Sequence, residues 1–194
     1  MSRSVLVHGL SYGHDNSSLE AFIKQLNREV THGIAVIGRH TTPDELRRLH
    51  DSGVRGIRLD LYSENATHNV RKQLDMLEFY AGIVAPFNWS VGFLQLEPSN
   101  WTRLSQLIPG LPVDVVVDHL ALLKGRSMLS TGVKVSEQPG MEAVIQLLKG
   151  NNFWIKISAP YRISEDDPEY NDLKEVVRLL VNANPRRVVY GSDW

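Results

Sequence analysis

The sequence has 194 residues, of which 42% are hydrophobic and 22% are charged, and its formal net charge is −1. This balance is that of an ordinary globular protein with one sizeable core, and it offers no basic stripe for a nucleic-acid partner. The absence of cysteine excludes disulfides, thiolate metal sites and a cysteine nucleophile. No apolar run is long enough for a signal peptide or a membrane span, so we expect a cytoplasmic protein without a membrane partner.

The dominant pattern along the chain is an alternation of short β-branched runs with longer segments of helical spacing. It predicts seven strands, at residues 4–8, 33–37, 54–61, 91–96, 113–120, 153–157 and 187–190. It predicts helices between them, one after each of the caps Ser17 and Thr42, and others near residues 67–80, 100–107, 141–149 and 170–183. Ser17 is followed three residues later by Glu20, as in a capping box. Thr42 is followed by Pro43 at the first helical position and by Glu45 in the first turn. The loop after the fifth strand has about twenty residues, a length that is usually functional or disordered.

Several predicted strands are apolar on both sides of their alternation, which is typical of parallel sheets covered by helices. Right-handed βαβ crossovers then leave two architectures, a doubly wound sheet or a closed barrel. No GxGxxG follows the first strand, so the dinucleotide-binding version lacks its fingerprint. We therefore expect an α/β fold, a single domain over residues 1–194 that forms the greater part of a (β/α)8 TIM barrel.

Ionisable residues follow several of the predicted strands, at the end where parallel α/β folds place their sites. Arg58 lies late in the third strand, His119 ends the fifth, Arg162 follows the sixth and Asp193 follows the seventh. Because the carboxyl ends of parallel strands meet at one rim, we expect a water-activating, anion-binding site there. Arg55 lies three positions before Arg58 and faces the opposite side of the strand, so one of the two arginines is expected to be structural.

Each candidate has a structural alternative. Asp193 is a candidate general base if burial or neighbouring groups raise its pKa. The alternative is a structural carboxylate that caps backbone N–H groups or pairs with an arginine. His119 is a candidate for polarising a carbonyl or binding a metal. The alternative is a structural histidine at a strand end whose hydrogen bonds are satisfied. Arg58 and Arg162 are candidates for binding a substrate carboxylate through two parallel hydrogen bonds. The alternative is that they form structural ion pairs within the protein. None of the seven histidines forms a His-x-His pair, so a complete metal site is not expected from this chain.

Five segments at strand ends now occur in an order that resembles the amidohydrolase-related family of TIM-barrel hydrolases, in its branch around 2-pyrone-4,6-dicarboxylate lactonase. They are residues 5–17, 53–59, 116–120, 154–164 and 190–194. The resemblance covers nearly the whole chain and implies that its seven strands are family strands two to eight.

The resemblance also implies roles for single residues. Asp193 matches the aspartate that activates water, and His119 matches the histidine that faces the substrate. Arg58 matches an arginine at a strand end, and Arg162 matches one that contacts a substrate carboxylate. Tyr12 lies in the second-strand loop of the family and is expected to bind substrate.

The chain departs from the family pattern at both ends. The first family strand, with its His-x-His, and the last helix are absent, so we expect a barrel truncated at both ends. Many relatives bind one divalent metal such as zinc through that His-x-His, whereas the lactonase branch is thought to work without metal. His119 and Asp193 would be metal ligands only if a first strand supplied the His-x-His.

The leading hypothesis is a hydrolase that directs water at a lactone, ester or amide carbonyl of a small carboxylate-bearing substrate. A second hypothesis keeps the fold but makes the protein a metal-dependent decarboxylase. A third is a catalytically inactive truncated barrel that acts only through association, for which a homo-oligomer is expected.

Overall fold

Seven parallel strands form the centre of the protein. The computed structural model describes residues 4–193. Its strands are β1 (Ser4–Val7), β2 (Thr31–Ala35), β3 (Val54–Arg58), β4 (Ser90–Phe93), β5 (Val115–Val117), β6 (Phe153–Ile157) and β7 (Val188–Tyr190). Each strand pairs with the next one along the chain, in the order β1 to β7, and all the pairs are parallel. The predicted α/β alternation is confirmed.

Six α-helices connect these strands. They are α1 (Ser17–Gln25), α2 (Pro43–Ser52), α3 (Val70–Val84), α4 (Trp101–Leu107), α5 (Met141–Lys149) and α6 (Lys174–Ala183). Neighbouring helices pack against one another, as α4 does on α5 and α5 on α6. Within residues 4–193, no helix is long and apolar enough to cross a membrane.

The strand order decides between the two expected architectures. A doubly wound sheet reverses its strand order at a switch point, whereas this order never reverses. Right-handed crossovers in an unreversed order place all the helices on one face of the sheet, as in a barrel. Over the described residues β1 and β7 are the two edges, so the sheet is open.

Capping chemistry explains where α2 begins and corrects the start of α1. Thr42 accepts a hydrogen bond from the backbone N–H of Glu45, so the predicted cap is confirmed. The Glu45 carboxylate accepts in turn from the backbone N–H of Thr42, which makes the cap a capping box. The predicted Ser17 cap is wrong, because α1 begins at Ser17 and Asn16 occupies the cap position without capping. The Asn16 side chain instead bonds to the backbone N–H and C=O of Val36, at 3.0 and 2.8 Å.

The fifth strand is shorter than predicted because a left-handed turn follows it. The four residues from His119 to Leu122 have φ values of 54°, 52°, 57° and 53°. L-residues rarely adopt this conformation, and each costs roughly 1–2 kcal/mol in it. The indole N–H of Trp101 donates to the carbonyl of Ala121 at 3.0 Å, which helps to hold the turn in place.

Polar side chains tie down the long loop after β5. Gln138 accepts from the backbone N–H of Lys124 at 2.7 Å and donates to its carbonyl at 3.0 Å. The carboxylate of Asp172 accepts hydrogen bonds from the Ser127 and Ser164 hydroxyls. These bonds join the loop after β5 to the loop after β6.

Candidate active site

The carboxyl ends of strands β3, β5, β6 and β7 bring together four of the five candidate residues. Arg58 is the last residue of β3, His119 follows β5, Arg162 lies in the loop after β6 and Asp193 follows β7. The Asp193 carboxylate lies 3.6 Å from His119 Nε2 and 3.7 Å from Arg162 Nε, and the charge of Arg58 lowers its pKa. The geometry therefore gathers side chains that are up to 135 positions apart (from 58 to 193) at one rim of the sheet.

Asp193 is surrounded by donors. The Tyr161 hydroxyl donates to Oδ2 at 2.6 Å, and Arg162 Nε lies 3.7 Å from the same oxygen. His119 Nε2 lies 3.6 Å from Oδ1. Burial alone would raise the pKa of Asp193, but the Tyr161 hydrogen bond and the charges of His119 and the arginines outweigh it. The pKa of Asp193 is therefore lower than that of an ordinary aspartate, and the group is a carboxylate at neutral pH.

His119 is buried at the base of this cluster. Its Nδ1 lies 2.8 Å from the Ser158 hydroxyl, and its own backbone N–H donates to the same hydroxyl at 3.2 Å. Burial lowers the pKa of His119, and the nearby carboxylates of Asp118 and Asp193 only partly oppose this. At neutral pH the ring is therefore an uncharged imidazole.

Arg58 belongs to a buried ion-pair network centred on Asp118. Its Nη2 lies 3.3 Å from Asp118 Oδ2, and Lys156 Nζ lies 2.8 Å from Asp118 Oδ1. The Arg58 Nε is buried and has no hydrogen-bond partner among the described residues. Two cations share one carboxylate, so the network carries a surplus of positive charge beside His119. Arg55 turns to the carbonyls of His50 and Val54, as expected of a structural arginine.

Tyr12 lies apart from the cluster. It ends a 3₁₀ turn after β1, at the opposite edge of the sheet from β7, and its side chain is 63% exposed. Its ring stacks on that of His8 with centroids 5.3 Å apart. The structure therefore places Tyr12 on the rim without a contact to Asp193.

The sequence alone suggested no role for three of the residues that contact the candidates. Tyr161 bonds Asp193, Ser158 bonds His119, and Asp118 joins Arg58 to Lys156. Tyr161 and Ser158 both lie inside the segment 154–164 that resembles the family. The resemblance of that segment indicated that its residues lie near the site. No spacing rule could pair them with partners more than thirty residues away.

The fit of a divalent metal can be tested on the donor atoms. His119 Nε2 and Asp193 Oδ1 face each other at 3.6 Å, which is compatible with two ligands of one ion. Residues 4–193 contain no group of three or more histidine, aspartate or glutamate side chains that could hold an ion. The guanidinium of Arg162 also lies against Asp193, where it competes with a cation. The described residues do not make a metal site.

Comparison with known proteins gives this geometry a context. The chain is 29% identical to 2-pyrone-4,6-dicarboxylate hydrolase from Comamonas testosteroni, over 100% of this chain and 62% of the relative. It is 27% identical to 4-sulfomuconolactone hydrolase from Hydrogenophaga intermedia, over 100% of this chain and 60% of the relative. The chain thus spans about three fifths of the length of these curated relatives.

A solved structure shares the fold. It is a probable 2-pyrone-4,6-dicarboxylic acid hydrolase from Acinetobacter baumannii with citric acid bound, 26% identical to this chain. The two superpose with a TM-score of 0.73, over 100% of this chain and 68% of that one. The model of one protein family, described as Amidohydrolase, matches residues 1–194, which is the whole sequence. The protein that carries this cluster at the rim of its parallel sheet belongs to the amidohydrolase family.

Proposed function

We propose that this chain is part of a hydrolase that directs water at the carbonyl of a small carboxylate-bearing substrate, with a lactone as the first choice over an ester or amide. The observation that carries the proposal is the ionised Asp193 beside the uncharged, buried His119, with Arg162 at the same carboxylate. A base, a neutral donor and a cation at one strand-end rim are the groups that acyl hydrolysis needs.

In the proposed reaction, Asp193 takes a proton from water as the water oxygen bonds to the carbonyl carbon. His119 donates a hydrogen bond to the carbonyl oxygen as it becomes an oxyanion, and the positive charge of Arg58 stabilises the same oxygen. When the ring C–O bond breaks, the leaving oxygen takes the proton back from Asp193. The product of a lactone is then a hydroxy acid, or its keto form where the leaving group is an enol.

The low pKa of Asp193 has a chemical consequence. It keeps the carboxylate ionised at neutral pH, but it also makes Asp193 a weak base while the Tyr161 hydroxyl donates a hydrogen bond to it. A substrate that displaced the Tyr161 hydroxyl from Oδ2 would leave Asp193 a stronger base at the moment of attack. This step does not need a raised pKa in the free protein, which was the condition expected from the sequence.

Substrate charge is the second part of the proposal. Arg162 is 46% exposed on its side chain and can bind a substrate carboxylate through two parallel hydrogen bonds. Tyr12 is proposed as a further contact on the rim. The names of both curated relatives describe hydrolysis of anionic ring compounds, and the solved relative holds citric acid, a tricarboxylate.

The experiment is to express the protein from its natural gene and compare Asp193→Asn with the unaltered enzyme. The substrates are 2-pyrone-4,6-dicarboxylate and 4-sulfomuconolactone, and the rate is measured by absorbance and proton release. We expect kcat to fall by about 10²–10⁴-fold, the usual contribution of a general base. The control is Asp44→Asn, because Asp44 is an exposed carboxylate paired with Arg47 on α2.

Other outcomes would contradict the proposal. Hydrolysis that survives in Asp193→Asn would remove Asp193 as the base. Release of carbon dioxide that requires added zinc would favour the decarboxylase. No turnover by a folded, assembled protein would favour the association-only hypothesis.

A further inference from the structure

The hydroxyl of Ser158 makes two polar contacts with His119, one with its backbone N–H and one with its ring. Ser158 is 5% exposed and His119 is 3% exposed, so neither side chain is bathed in solvent. Ser158 Oγ lies 3.2 Å from the backbone N of His119 and 2.8 Å from its ring Nδ1. Thirty-nine residues separate the two positions, and their meeting depends on the pairing of β5 with β6.

The protons of this contact can be assigned from hydrogen-bonding capacity. A backbone N–H can only donate, so Ser158 Oγ accepts from the backbone of His119. The hydroxyl has one proton to give, and the described residues offer it no acceptor other than Nδ1 of His119. If Nδ1 carried a proton as well, the buried Ser158 proton would have no acceptor, at a cost of about 1–3 kcal/mol.

We infer that Ser158 is a positioning residue that holds His119 in the tautomer with its proton on Nε2. Nδ1 accepts from Ser158, and Nε2–H therefore points towards Asp193. The distance of 3.6 Å between Nε2 and Asp193 Oδ1 is longer than a hydrogen bond, so that N–H remains available to a substrate oxygen. His119 faces the rim as a donor and not as a second base.

Gly191 leaves the room that this arrangement needs. A Cβ at position 191 would lie 3.3 Å from Cβ of Ser158 and 3.7 Å from its Oγ. A contact of 3.3 Å is tighter than most real Cβ contacts, so a side chain at 191 would press on the serine. The glycine that follows β7 therefore helps to keep the Ser158 hydroxyl in place under the imidazole.

The direct test is the tautomer itself. Two-bond ¹H–¹⁵N correlation NMR on histidine-labelled protein distinguishes the Nε2–H and Nδ1–H forms, and His119→Gln identifies the signals of His119 by their loss. We expect the Nε2–H pattern in the unaltered protein and in Ser158→Thr, which keeps the hydroxyl. We expect Ser158→Ala to admit a fraction of the Nδ1–H form, because the Ser158 proton no longer occupies Nδ1.

The matched control is Ser164→Ala. Ser164 is also 5% exposed and also loses a hydrogen bond, in its case a partly buried one to Asp172, but it does not contact His119. An Nδ1–H pattern in the unaltered protein would overturn the inference. An unchanged tautomer in folded Ser158→Ala would overturn it as well. If Ser158→Ala does not fold, the spectrum of the unaltered protein still decides.

The effect of Ser158→Ala on turnover is a second test. It rests on the proposed function and is interpreted separately from the NMR result. With the lactone substrates, Ser158→Ala should lower kcat by about 10- to 100-fold, the usual effect of losing a partner that orients an active-site group. KM should change little, because the wrong tautomer reduces the donor at the transition state and leaves the substrate carboxylate contact intact. If the unaltered protein has no hydrolase activity, the proposed function fails while the NMR result stands. Equal kcat in Ser158→Ala and Ser164→Ala would show that the tautomer has no role in turnover.

Discussion

The hydroxyl of Tyr161 donates a hydrogen bond to Oδ2 of Asp193 at 2.6 Å, so a neutral phenol is bound directly to the carboxylate of the site. This bond stabilises the charged form of Asp193 and lowers its pKa, and it raises the pKa of the Tyr161 hydroxyl. Arg162 lies over the ring of the same tyrosine, with its guanidinium carbon 5.4 Å from the centroid. Tyr161 therefore connects the carboxylate to the arginine that lies next to it.

Replacing this tyrosine should change the pH dependence of hydrolysis. In Tyr161→Phe the carboxylate loses its donor, so the pKa of Asp193 rises and the acid limb of the kcat/KM profile moves to higher pH. The measurement is kcat/KM across the acid range. Tyr170→Phe is the control, because Tyr170 donates an equally short bond to Asp167. An acid limb that stays in place in Tyr161→Phe would contradict the assignment of that limb to Asp193.

The network around Asp118 should matter for stability. Asp118→Asn removes the one carboxylate that holds Arg58 and Lys156, and the three side chains are only 7%, 20% and 20% exposed. Breaking a buried ion pair on one side costs about 3 kcal/mol of unfolding free energy. Urea denaturation would measure this loss. The exposed pair of Lys134 and Glu137 provides the control, since Glu137→Gln should cost less than about 1 kcal/mol.

Two histidines should make the protein less stable as the pH falls. Burial lowers the pKa of His119 and of His50, and the charge of Arg55 adds to the effect at His50. A folded pKa below the unfolded value of about 6.5 means that the unfolded chain binds more protons in this range. The stabilisation is thus full above about pH 6.5 and is lost as the pH falls below it.

His50 offers a way to check this pH dependence. Its Nδ1 accepts a hydrogen bond from the Trp89 indole at 3.0 Å, and a protonated ring could not accept it. His50→Gln keeps an acceptor but cannot titrate, so the free energy of unfolding should fall less steeply from pH 7.5 to pH 5.5. His40→Gln, on the surface, is the matched control. An unchanged slope in His50→Gln would contradict a partly buried, neutral His50.

The Asn16 side chain should contribute more to stability than the serine beside it. Asn16→Ala leaves the buried N–H and C=O of Val36 without their partner, which costs about 2 kcal/mol. Ser17→Ala should cost less than about 0.5 kcal/mol, because its hydroxyl does not cap α1. Thermal or urea unfolding of the two variants separates them. A larger loss in Ser17→Ala would restore the capping assignment made from the sequence.

The sequence was sufficient for elements that are determined locally. The bounds of α5 and β6 are those predicted, and so is the cap at Thr42, because periodicity and caps act over a few residues. The rim placement of His119 and Asp193 was also predictable, since it follows from parallel strands alone.

What the sequence could not supply depends on distant contacts or on strain. The left-handed turn at His119–Leu122 contains no glycine that would predict it, so β5 was predicted too long. Ser158 meets His119 across 39 residues, and Tyr161 meets Asp193 across 32. Such pairs arise from strand register, loop path and rotamer, none of which appears as a spacing in the chain.

The unreversed strand order has a consequence for how the sheet can assemble. Every ladder from β1 to β7 joins neighbours in the chain, so each new strand needs only one helix-containing connection to reach its partner. The loop-closure entropy of each step is therefore modest, and it does not grow as the sheet widens. The rim site forms only when the units carrying β3, β5, β6 and β7 have all been added.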